Sequence, residues 1–361
     1  MKQIPHSQPS IGTPEWKILR DPIERRYIAA GSLTETFERL LAEHIGVKHI
    51  FVVDSGTSAL HLALLALGVK QGDEVIIPSY ICSSVLDAVN YTGAQAVIAD
   101  INETSYNMTV ATIQPCVSKK TKAIIVPHLF GLAAPIDKIK AAFPKISIIE
   151  DCAQAIGGAL HAHSNKKLGS MGDISIFSFY ATKVITTGKG GAVATNNNTY
   201  AKTIRDLRSN DLISKYRVRY NYSFTDLQAA MGLQQLKKLP QFLKKRRALA
   251  QMYLHGLRSA NLVLPPQDGH IYYRFVVQFP KNVSVEKITA IATHMKQSGI
   301  EVSQTPVWKP IHQLLRLPKR QYPHTETIYD HVLSLPIYPS LSKNDIRHII
   351  QIFLTIYPTR T

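Results

Sequence analysis

Hydrophobic and polar positions follow two alternating patterns between about residues 35 and 200. Seven short, continuous apolar runs are rich in β-branched residues, as is typical of strands buried on both faces. These runs are HIFVVDSG (49–56), DEVIIPS (73–79), AQAVIADI (94–101), KAIIVPHLFG (122–131), ISIIEDCA (146–153), DISIFSF (173–179) and GGAVATN (190–196). Segments with a helical period lie between them, at TSALHLALLALG (57–68) and PIDKIKAAF (135–143). This order predicts an α/β fold with a mostly parallel seven-stranded sheet covered on both faces.

The pattern changes beyond residue 200. TDLQAAMGLQQLKKL (225–239) predicts a long helix, and Pro240 predicts the start of a second helix in the basic segment that follows. The last hundred residues contain two strand-like runs and two helical segments. They are YYRFVVQF (272–279), LSLPIYP (333–339), VEKITAIATHMKQSG (285–299) and SKNDIRHIIQIFLTI (342–356). This mixture predicts a smaller α+β domain.

The length of the chain also favours two domains. A single core stops growing at about 250 to 300 residues, and this chain has 361 residues, of which 45% are hydrophobic. The proline-containing stretch SANLVLPPQDG (259–269) is the expected boundary. We therefore expect a polar N-terminal arm at 1–20, a large domain with long helices at 21–258 and a small α+β domain at 259–361.

Composition narrows the cellular setting. No apolar run approaches the roughly 20 residues that a bilayer span requires, and the N-terminus lacks the apolar segment of a secretory signal. Cys82, Cys116 and Cys152 are odd in number and lack a Cys-x-x-Cys spacing, which argues against a disulfide framework or a zinc site. The sequence thus predicts a cytoplasmic protein with no membrane segment and no metal.

The formal net charge of +17 favours anionic partners. Nucleic acids, membrane surfaces and phosphorylated small molecules all fit this charge. The two densest basic stretches are SKYRVRYNYSF (214–224) and KKLPQFLKKRRALAQ (237–251). For the second stretch, the solvated face of a helix is an alternative to a nucleic-acid patch.

Two polar motifs follow predicted strands. Ser55, Gly56, Thr57 and Ser58 lie between a strand and an amphipathic helix, where free N–H groups and the helix dipole attract an anion. An ordinary N-cap is the alternative interpretation. Asp151 ends another strand, at the edge where ligands of open α/β sheets bind, and is either a helix cap or the partner of a cationic ring nitrogen.

Lys183 follows a third such strand in SIFSFYATKVITTGKGGAVAT (175–195). It is either a solvated charge or a desolvated amine suited to forming a Schiff base. Gly188, Gly190 and Gly191 allow the backbone to approach a ligand closely.

Taken together, the three motifs match the needs of pyridoxal phosphate. A lysine forms the Schiff base, a carboxylate holds the proton on the pyridine nitrogen, and a helix N-terminus holds the phosphate. The chain supplies these groups in the order phosphate cradle, Asp151 and Lys183. Their combination predicts a pyridoxal-phosphate site.

The same residues carry a resemblance to a known family. FERLLAEHIGVKHIFVVDSGTSALHLALLALGVKQGDEVIIPS, IIEDCAQAIGG, GDISIFSFYATKVITTGKGGAVAT and YNYSFTDLQAAMGLQQL resemble the DegT/StrS family of pyridoxal-phosphate-dependent sugar aminotransferases. The resemblance extends from about residue 15 to the C-terminus. It implies the fold of aspartate aminotransferase and a homodimer with shared active sites.

The resemblance also implies individual roles. Lys183 carries the cofactor and moves the proton, Asp151 pairs with the pyridine nitrogen, and Gln154 lies near the 3-hydroxyl. The phosphate ligands are Gly56, Thr57, Ser58, Ser178 and Asn221, of which Asn221 reaches the cofactor of the neighbouring subunit. This role shifts the interpretation of the segment YRVRYNYSF (216–224) from nucleic acid towards an anion at a subunit interface.

Three positions depart from the family pattern. Cys82 stands where an aromatic ring commonly stacks on the cofactor, so that Tyr80 is a second candidate for that contact. Lys189 replaces an acidic residue, and Ser223 replaces an arginine. These departures concern the substrate pocket and leave the lysine chemistry in place.

The leading functional hypothesis is transfer of an amino group from glutamate or a similar donor to a keto-sugar, with a nucleotide-linked sugar as the expected substrate. A sugar dehydratase is an alternative, but that branch of the family has histidine in place of Lys183. A non-catalytic homologue is a third alternative, which the presence of Lys183 and Asp151 disfavours. The segment QTPVWKPIHQ (304–313) is a candidate substrate contact without an assigned mechanism.

Overall fold

The computed structural model describes residues 3–208 and 216–357. Its strands are β1 His49–Val53, β2 Glu74–Pro78, β3 Gln95–Ala99, β4 Thr121–Pro127, β5 Ser147–Asp151, β6 Ile174–Ser178, β7 Gly191–Thr195, β8 Phe275–Gln278 and β9 Val332–Leu335. Its α-helices are α1 Thr13–Glu24, α2 Ser32–Ile45, α3 Gly56–Ala66, α4 Ser84–Asn90, α5 Val110–Ile113, α6 Ile136–Ala142, α7 Asn198–Leu207, α8 Asp226–Gly256, α9 Val285–Gln297, α10 Ile311–Leu314, α11 Pro323–His331 and α12 Lys343–Ile356.

The first seven strands form one sheet in the order β1-β7-β6-β5-β4-β2-β3, which confirms the predicted seven-stranded sheet. β7 is antiparallel to both β1 and β6, and the other neighbouring pairs are parallel. β1, β5 and β6 therefore point in one direction and end at the same edge of the sheet. This edge collects the residues that follow those three strands.

Side chains alternate between the two faces of the sheet, as the pleat of a strand requires. In β1, Phe51 and Val53 pack in a cluster with α3, α4 and α7, whereas Ile50 and Val52 pack in a cluster with α2 and α8. Both clusters exclude water. Because both faces are covered, the strand sequences consist of continuous apolar runs.

The long helix α8 corrects one prediction from the sequence. Pro240 does not begin a second helix, because it lies inside α8, which is continuous over 31 residues. A proline inside a helix costs about 3 kcal/mol. Packing on both sides of the proline offsets this cost, since Leu239 lies in the cluster beneath the large sheet and Tyr253 lies in the C-terminal cluster. Tertiary contacts thus override the local signal.

The C-terminal region has a core of its own. β8 and β9 pair antiparallel, and α9 and α12 pack beside them around Phe275, Leu333 and Phe353. Ile4 lies in the same cluster and pairs with Ile300, so that the N-terminal residues are held against this region. The predicted strands and helices beyond residue 272 are confirmed, while the proposed domain limits remain a prediction. None of the helices within the two described ranges has the length and apolar character to cross a bilayer.

Asp226 connects the starts of two helices. It belongs to the first turn of α8, and its buried carboxylate accepts hydrogen bonds from the backbone N–H groups of Gly31, Leu33 and Thr34 at 2.9, 3.3 and 2.9 Å. The Thr34 hydroxyl donates a fourth at 2.7 Å. Since Gly31 precedes α2 and has no side chain to cap it, Asp226 satisfies the free N–H groups of that helix.

We predict that Asp226→Ala lowers the free energy of unfolding by about 3 kcal/mol, because it leaves several buried N–H donors without an acceptor. Equilibrium unfolding in guanidinium chloride measures this change. Glu43→Ala is the matched control, because its carboxylate is exposed and pairs with exposed Arg39. Equal stability of the two variants would contradict the capping role.

Candidate active site

A cavity of about 280 Å³ lies at the carboxyl ends of β1, β5 and β6. Its polar lining residues come from four separate parts of the chain, and they include most of the residues singled out from the sequence. They are Ser55, Gly56, Thr57, Cys82, Ser84, Asp151, Gln154, Ser178, Tyr180, Lys183, Lys189 and Gly190. The sheet edge therefore brings together the three motifs that were recognised separately.

The turn between β1 and α3 forms one wall of the cavity. Ser55 is the N-cap of α3, and its side chain accepts a hydrogen bond from the N–H of Ser58 at 3.1 Å. Gly56 and Thr57 line the cavity beside it, at the positive end of the helix dipole. The N-cap and the anion cradle are thus compatible interpretations of the same turn.

Two glycines allow this turn to pack closely on the neighbouring strands. A Cβ atom on Gly191 would lie 2.4 Å from the carbonyl oxygen of Ser55, and one on Gly56 would lie 3.1 Å from the Cβ of Ser178. The first distance is too short for any side chain. β7 and β6 therefore fix the position of the β1–α3 turn through glycine contacts.

Two adjacent carboxylates at the end of β5 have different environments. Glu150 is fully buried and accepts hydrogen bonds from His128 and from the N–H groups of Gly169, Met171 and Gly172. Although burial favours the neutral form, these hydrogen bonds hold the pKa of Glu150 below its ordinary value. Glu150 therefore serves to anchor the loop at 169–172.

Asp151 lies on the other side of β5 and lines the cavity. Burial raises its pKa, and neither the hydrogen bond from the N–H of Ala153 nor the charge of Lys183 reverses that shift. A cation in the cavity would stabilise the ionised form. Asp151 is consequently suited to pair with a protonated ring nitrogen.

Lys183 lies in a turn after β6, where its N–H donates to the carbonyl oxygen of Tyr180 at 2.9 Å. Its side chain is half-buried, and its Nζ lies 5.2 Å from the centroid of the Tyr273 ring. The amine can therefore reach the cavity while one side of it is covered. This environment favours an amine available for chemistry over a fully solvated charge.

Gln154 has one end of its amide fixed. Its Oε1 accepts a hydrogen bond from the N–H of Phe130 at 2.8 Å, and the residue lines the cavity. Because the oxygen is engaged, the amide N–H₂ group is the end free to donate to a ligand. An acceptor such as a ring hydroxyl oxygen matches this donor.

Comparison with known proteins gives the family. The profile of the DegT/DnrJ/EryC1/StrS aminotransferase family matches residues 9–354. The chain belongs to this family. The match extends across both the large sheet and the C-terminal region.

Similar proteins include both characterised relatives and solved structures. GDP-perosamine synthase of Escherichia coli O157:H7 is 31% identical over 361 residues, which cover 97% of this chain and 98% of the relative. The structure of the aminotransferase TlmJ from Streptoalloteichus hindustanus has a TM-score of 0.90 at 26% identity and covers 98% of both chains. NtdA from Bacillus subtilis, solved with bound cofactor PMP, has a TM-score of 0.86 at 26% identity and covers 95% of this chain and 81% of that one.

This DegT/DnrJ/EryC1/StrS member is a pyridoxal-phosphate-dependent aminotransferase with the fold of aspartate aminotransferase. Its cavity fits the cofactor on structural grounds. Asp151 is a buried carboxylate whose pKa stays raised despite the nearby charge of Lys183, the α3 N-terminus and Ser178 offer donors for a phosphate, and Lys183 offers an amine. The glycine contacts at Gly56 and Gly191 hold the β1–α3 turn against β6 and β7.

Two of the expected cofactor ligands lie away from the cavity of their own chain. Ser58 is buried beneath the first turn of α3, and its hydroxyl lies 2.8 Å from that of Ser55. Asn221 is exposed and does not line the cavity. The neighbouring residues 214 and 215 of the basic segment lie outside the described residues. The cofactor roles of Ser58 and Asn221 remain predictions.

Tyr80 is excluded as the ring that stacks on the cofactor. It is fully buried and packs edge-on against Phe130, with ring centroids 6.2 Å apart. Cys82 does line the cavity, as do the apolar side chains of Ile81 and Val85. The cavity wall at these positions is therefore aliphatic and thiol-containing.

Sequence reasoning missed several lining residues. Tyr180 is exposed at the cavity three residues before Lys183, and Leu60 and Ile176 contribute apolar lining. The apolar residues carried no separate signal, because core positions have the same pattern. Tyr180 did carry a signal, because it is an aromatic residue directly before the turn that contains Lys183. Lys189, noted as a departure from the family pattern, lines the cavity and adds positive charge.

The segment at 304–313 does not line the cavity itself but contacts the loop that forms part of the cavity wall. His312 lies fully buried between two partners, with its Nδ1 2.5 Å from the Ser79 hydroxyl and its Nε2 2.7 Å from Oε1 of Glu326. Ser79 lies three residues before Cys82. The C-terminal region therefore holds the loop that carries Ile81 and Cys82.

We predict that Gly191→Ala weakens cofactor binding by about tenfold or more, because a Cβ at this position displaces the β1–α3 turn. Titration of cofactor-free protein with pyridoxal phosphate, followed by absorbance, measures the dissociation constant. Gly12→Ala is the control, since its Cβ would meet only Pro14, at 4.0 Å. Unchanged affinity in Gly191→Ala would contradict the cradle role of this contact.

Proposed function

We propose that this enzyme transfers an amino group from glutamate, or a similar amino acid, to a keto-sugar attached to a nucleoside diphosphate. Its place would be the biosynthesis of amino sugars for polysaccharides, in the cytoplasm. The observation that carries the proposal is the convergence of Asp151, Lys183 and the α3 N-terminus on one cavity. The names of the GDP-perosamine synthases among its relatives support the sugar substrate.

The proposed roles follow from the geometry of each residue. Bound pyridoxal phosphate supplies an electron-withdrawing ring that stabilises negative charge on the substrate carbon. Asp151 keeps the proton on the ring nitrogen, and the N-terminus of α3, with Ser178, holds the phosphate. Lys183 would hold the cofactor through its ε-amine, and the same amine would move the proton at the reacting carbons.

Positive charge at the cavity suits an anionic substrate. Lys183 and Lys189 both line the cavity, and Asp151 is the only carboxylate among its described lining residues. The net charge of +17 extends this preference to the whole chain. A diphosphate next to the sugar would interact favourably with this field.

We also propose a homodimer in which Asn221 reaches the cofactor phosphate of the partner. Tyr220 and Tyr222 stack on each other 5.3 Å apart and pack around His61, whereas Asn221 between them is exposed. Tyr216 and Val218 just before them are 90% and 65% exposed. Large apolar groups in such positions favour a protein interface.

We predict that Lys183→Ala abolishes the visible absorbance band of the bound cofactor, because the mutant has no amine to attach it. In the unmodified enzyme, glutamate should shift this band to the shorter-wavelength amine form. Lys189→Ala is the matched control, and it keeps the band because Lys189 lines the same cavity without being the attachment point. Retention of the band in Lys183→Ala, or a band that no amino donor alters, would contradict the proposal.

The sugar is tested separately. Enzyme in the amine form should regain the visible band when mixed with a keto-sugar nucleotide, and the product should carry a new amine detectable by mass spectrometry. Loss of water from the sugar without gain of nitrogen would instead identify a dehydratase.

We predict that two inactive variants complement each other if active sites are shared. In a mixed dimer, the Lys183→Ala change of one subunit and the Asn221→Asp change of the other fall in the same active site, which leaves the second site intact. Random mixing of the two should therefore restore about one quarter of the unmodified activity. Absence of recovery, with mixed dimers demonstrated by native mass spectrometry, would contradict a contribution of Asn221 across the interface.

A further inference from the structure

Tyr273 brings the C-terminal region into contact with the lysine turn. It lies two residues before β8, and only 7% of its surface is exposed. The Nζ of Lys183 lies 5.2 Å from its ring centroid, and the guanidinium carbon of Arg274 lies 5.4 Å from the same centroid. Both distances are within the range of a cation–π interaction.

The backbone of Tyr273 is fixed by a buried arginine. Nη1 of Arg246 donates to the carbonyl oxygens of Tyr272 and Tyr273 at 3.0 and 3.2 Å, and to that of Ile337 at 3.0 Å. The Tyr273 hydroxyl lies 3.4 Å from Oγ1 of Thr182, the residue directly before Lys183. The tyrosine thus contacts the lysine turn through both its ring and its hydroxyl.

The charges around Tyr273 are predominantly positive. Lys183, Arg246 and Arg274 face it, and within residues 3–208 and 216–357 neither arginine pairs with a carboxylate. Burial and the charge of Arg274 lower the pKa of nearby His6 to about 3, so that His6 is neutral. Tyr338 lines a small cleft together with His6, Tyr273 and Arg274, and burial raises the pKa of Tyr338 to about 12. Among carboxylates, Asp151 interacts electrostatically with Lys183.

We propose that Tyr273 is a positioning residue for Lys183, in which the ring holds the ε-amine at the cavity and the hydroxyl is electrostatically coupled to the amine. This inference rests on the role of Lys183 in the proposed function. It assigns to the small C-terminal region a direct part in presenting the reactive amine. The function proposed above gives no role to Tyr273 or to the small cleft that Tyr273 lines.

The pKa of Tyr273 is consistent with this coupling. Burial alone would raise it, but the charges of Lys183 and Arg274, with the Thr182 hydrogen bond and Arg246, lower it to about 8. Below that pH the hydroxyl keeps its proton and provides no anion. Above it, the phenolate and the cation of Lys183 stabilise each other, so that each change of charge affects the other reciprocally.

The first test measures ionisation of Tyr273 in full-length protein freed of cofactor. The difference in phenolate absorbance between the unmodified protein and Tyr273→Phe gives its titration midpoint. Lys183→Met removes a cation and should raise the midpoint by about one pH unit. Lys189→Met is the matched control, because Lys189 lines the cavity but is not among the charges that face Tyr273.

The second test measures the position of the amine. Trace acetic anhydride labels lysines in the same cofactor-free protein, and mass spectrometry quantifies the peptide that contains Lys183. Tyr273→Phe keeps the ring and should leave labelling close to that of the unmodified protein, whereas Tyr273→Leu should raise it by about fivefold. Labelling of Lys189 serves as the internal reference.

An unchanged tyrosine midpoint in Lys183→Met would overturn the electrostatic coupling. Equal labelling of Lys183 in the Phe and Leu variants would overturn the role of the ring. If Tyr273→Leu does not fold, the titration of Lys183→Met and Tyr273→Phe still decides the coupling. Both tests use neither cofactor nor substrate, so their failure is distinguishable from failure of the proposed aminotransferase substrate.

Discussion

The parallel direction of β1, β5 and β6 is the constraint on which the whole site depends. Their carboxyl ends meet at one edge of the sheet, and Ser55, Asp151 and Lys183 follow those ends. Ser55 and Asp151 are about a hundred positions apart along the chain, and Asp151 and Lys183 are more than thirty positions apart. Only the strand order places them around one cavity. The close glycine contacts of Gly56 and Gly191 then fix the β1–α3 turn against β6 and β7.

The two buried carboxylates of β5 differ in the hydrogen-bond donors around them, and this difference gives them different functions. Glu150 is surrounded by hydrogen-bond donors, so its charge is stabilised by the protein itself and it fixes a loop. Asp151 receives fewer donors and opens onto the cavity, where burial disfavours its charge. A cationic ligand in the cavity would stabilise the ionised form of Asp151. Neighbouring positions on one strand therefore become an anchor and a binding group because they face opposite sides of the sheet.

Much of this arrangement could be predicted from local pattern. Each of the seven strands of the large sheet has a continuous apolar run, and two of these runs lead to the polar residues of the site, since Asp151 ends β5 and Lys183 lies in the turn after β6. Predictions failed where a local signal competed with packing. Pro240 normally begins a helix or breaks one, but the clusters around Leu239 and Tyr253 keep α8 continuous. Tyr80 lies two positions before the cavity residue Cys82 in the sequence, but its ring packs in the core against Phe130.

The sequence by itself determined the α/β class, the strands of the large sheet in chain order and the three chemical groups of the site. It could do so because burial on both faces of a sheet and the amphipathicity of a helix each impose a pattern of apolar and polar residues on neighbouring positions. Only the tertiary structure decided that Tyr273 lies beside Lys183, that Asp226 caps α2 and that His312 supports the loop before Cys82. Each of these contacts joins residues ninety or more positions apart. Such contacts depend on how the elements pack, and no local pattern encodes the partner of a side chain across that distance.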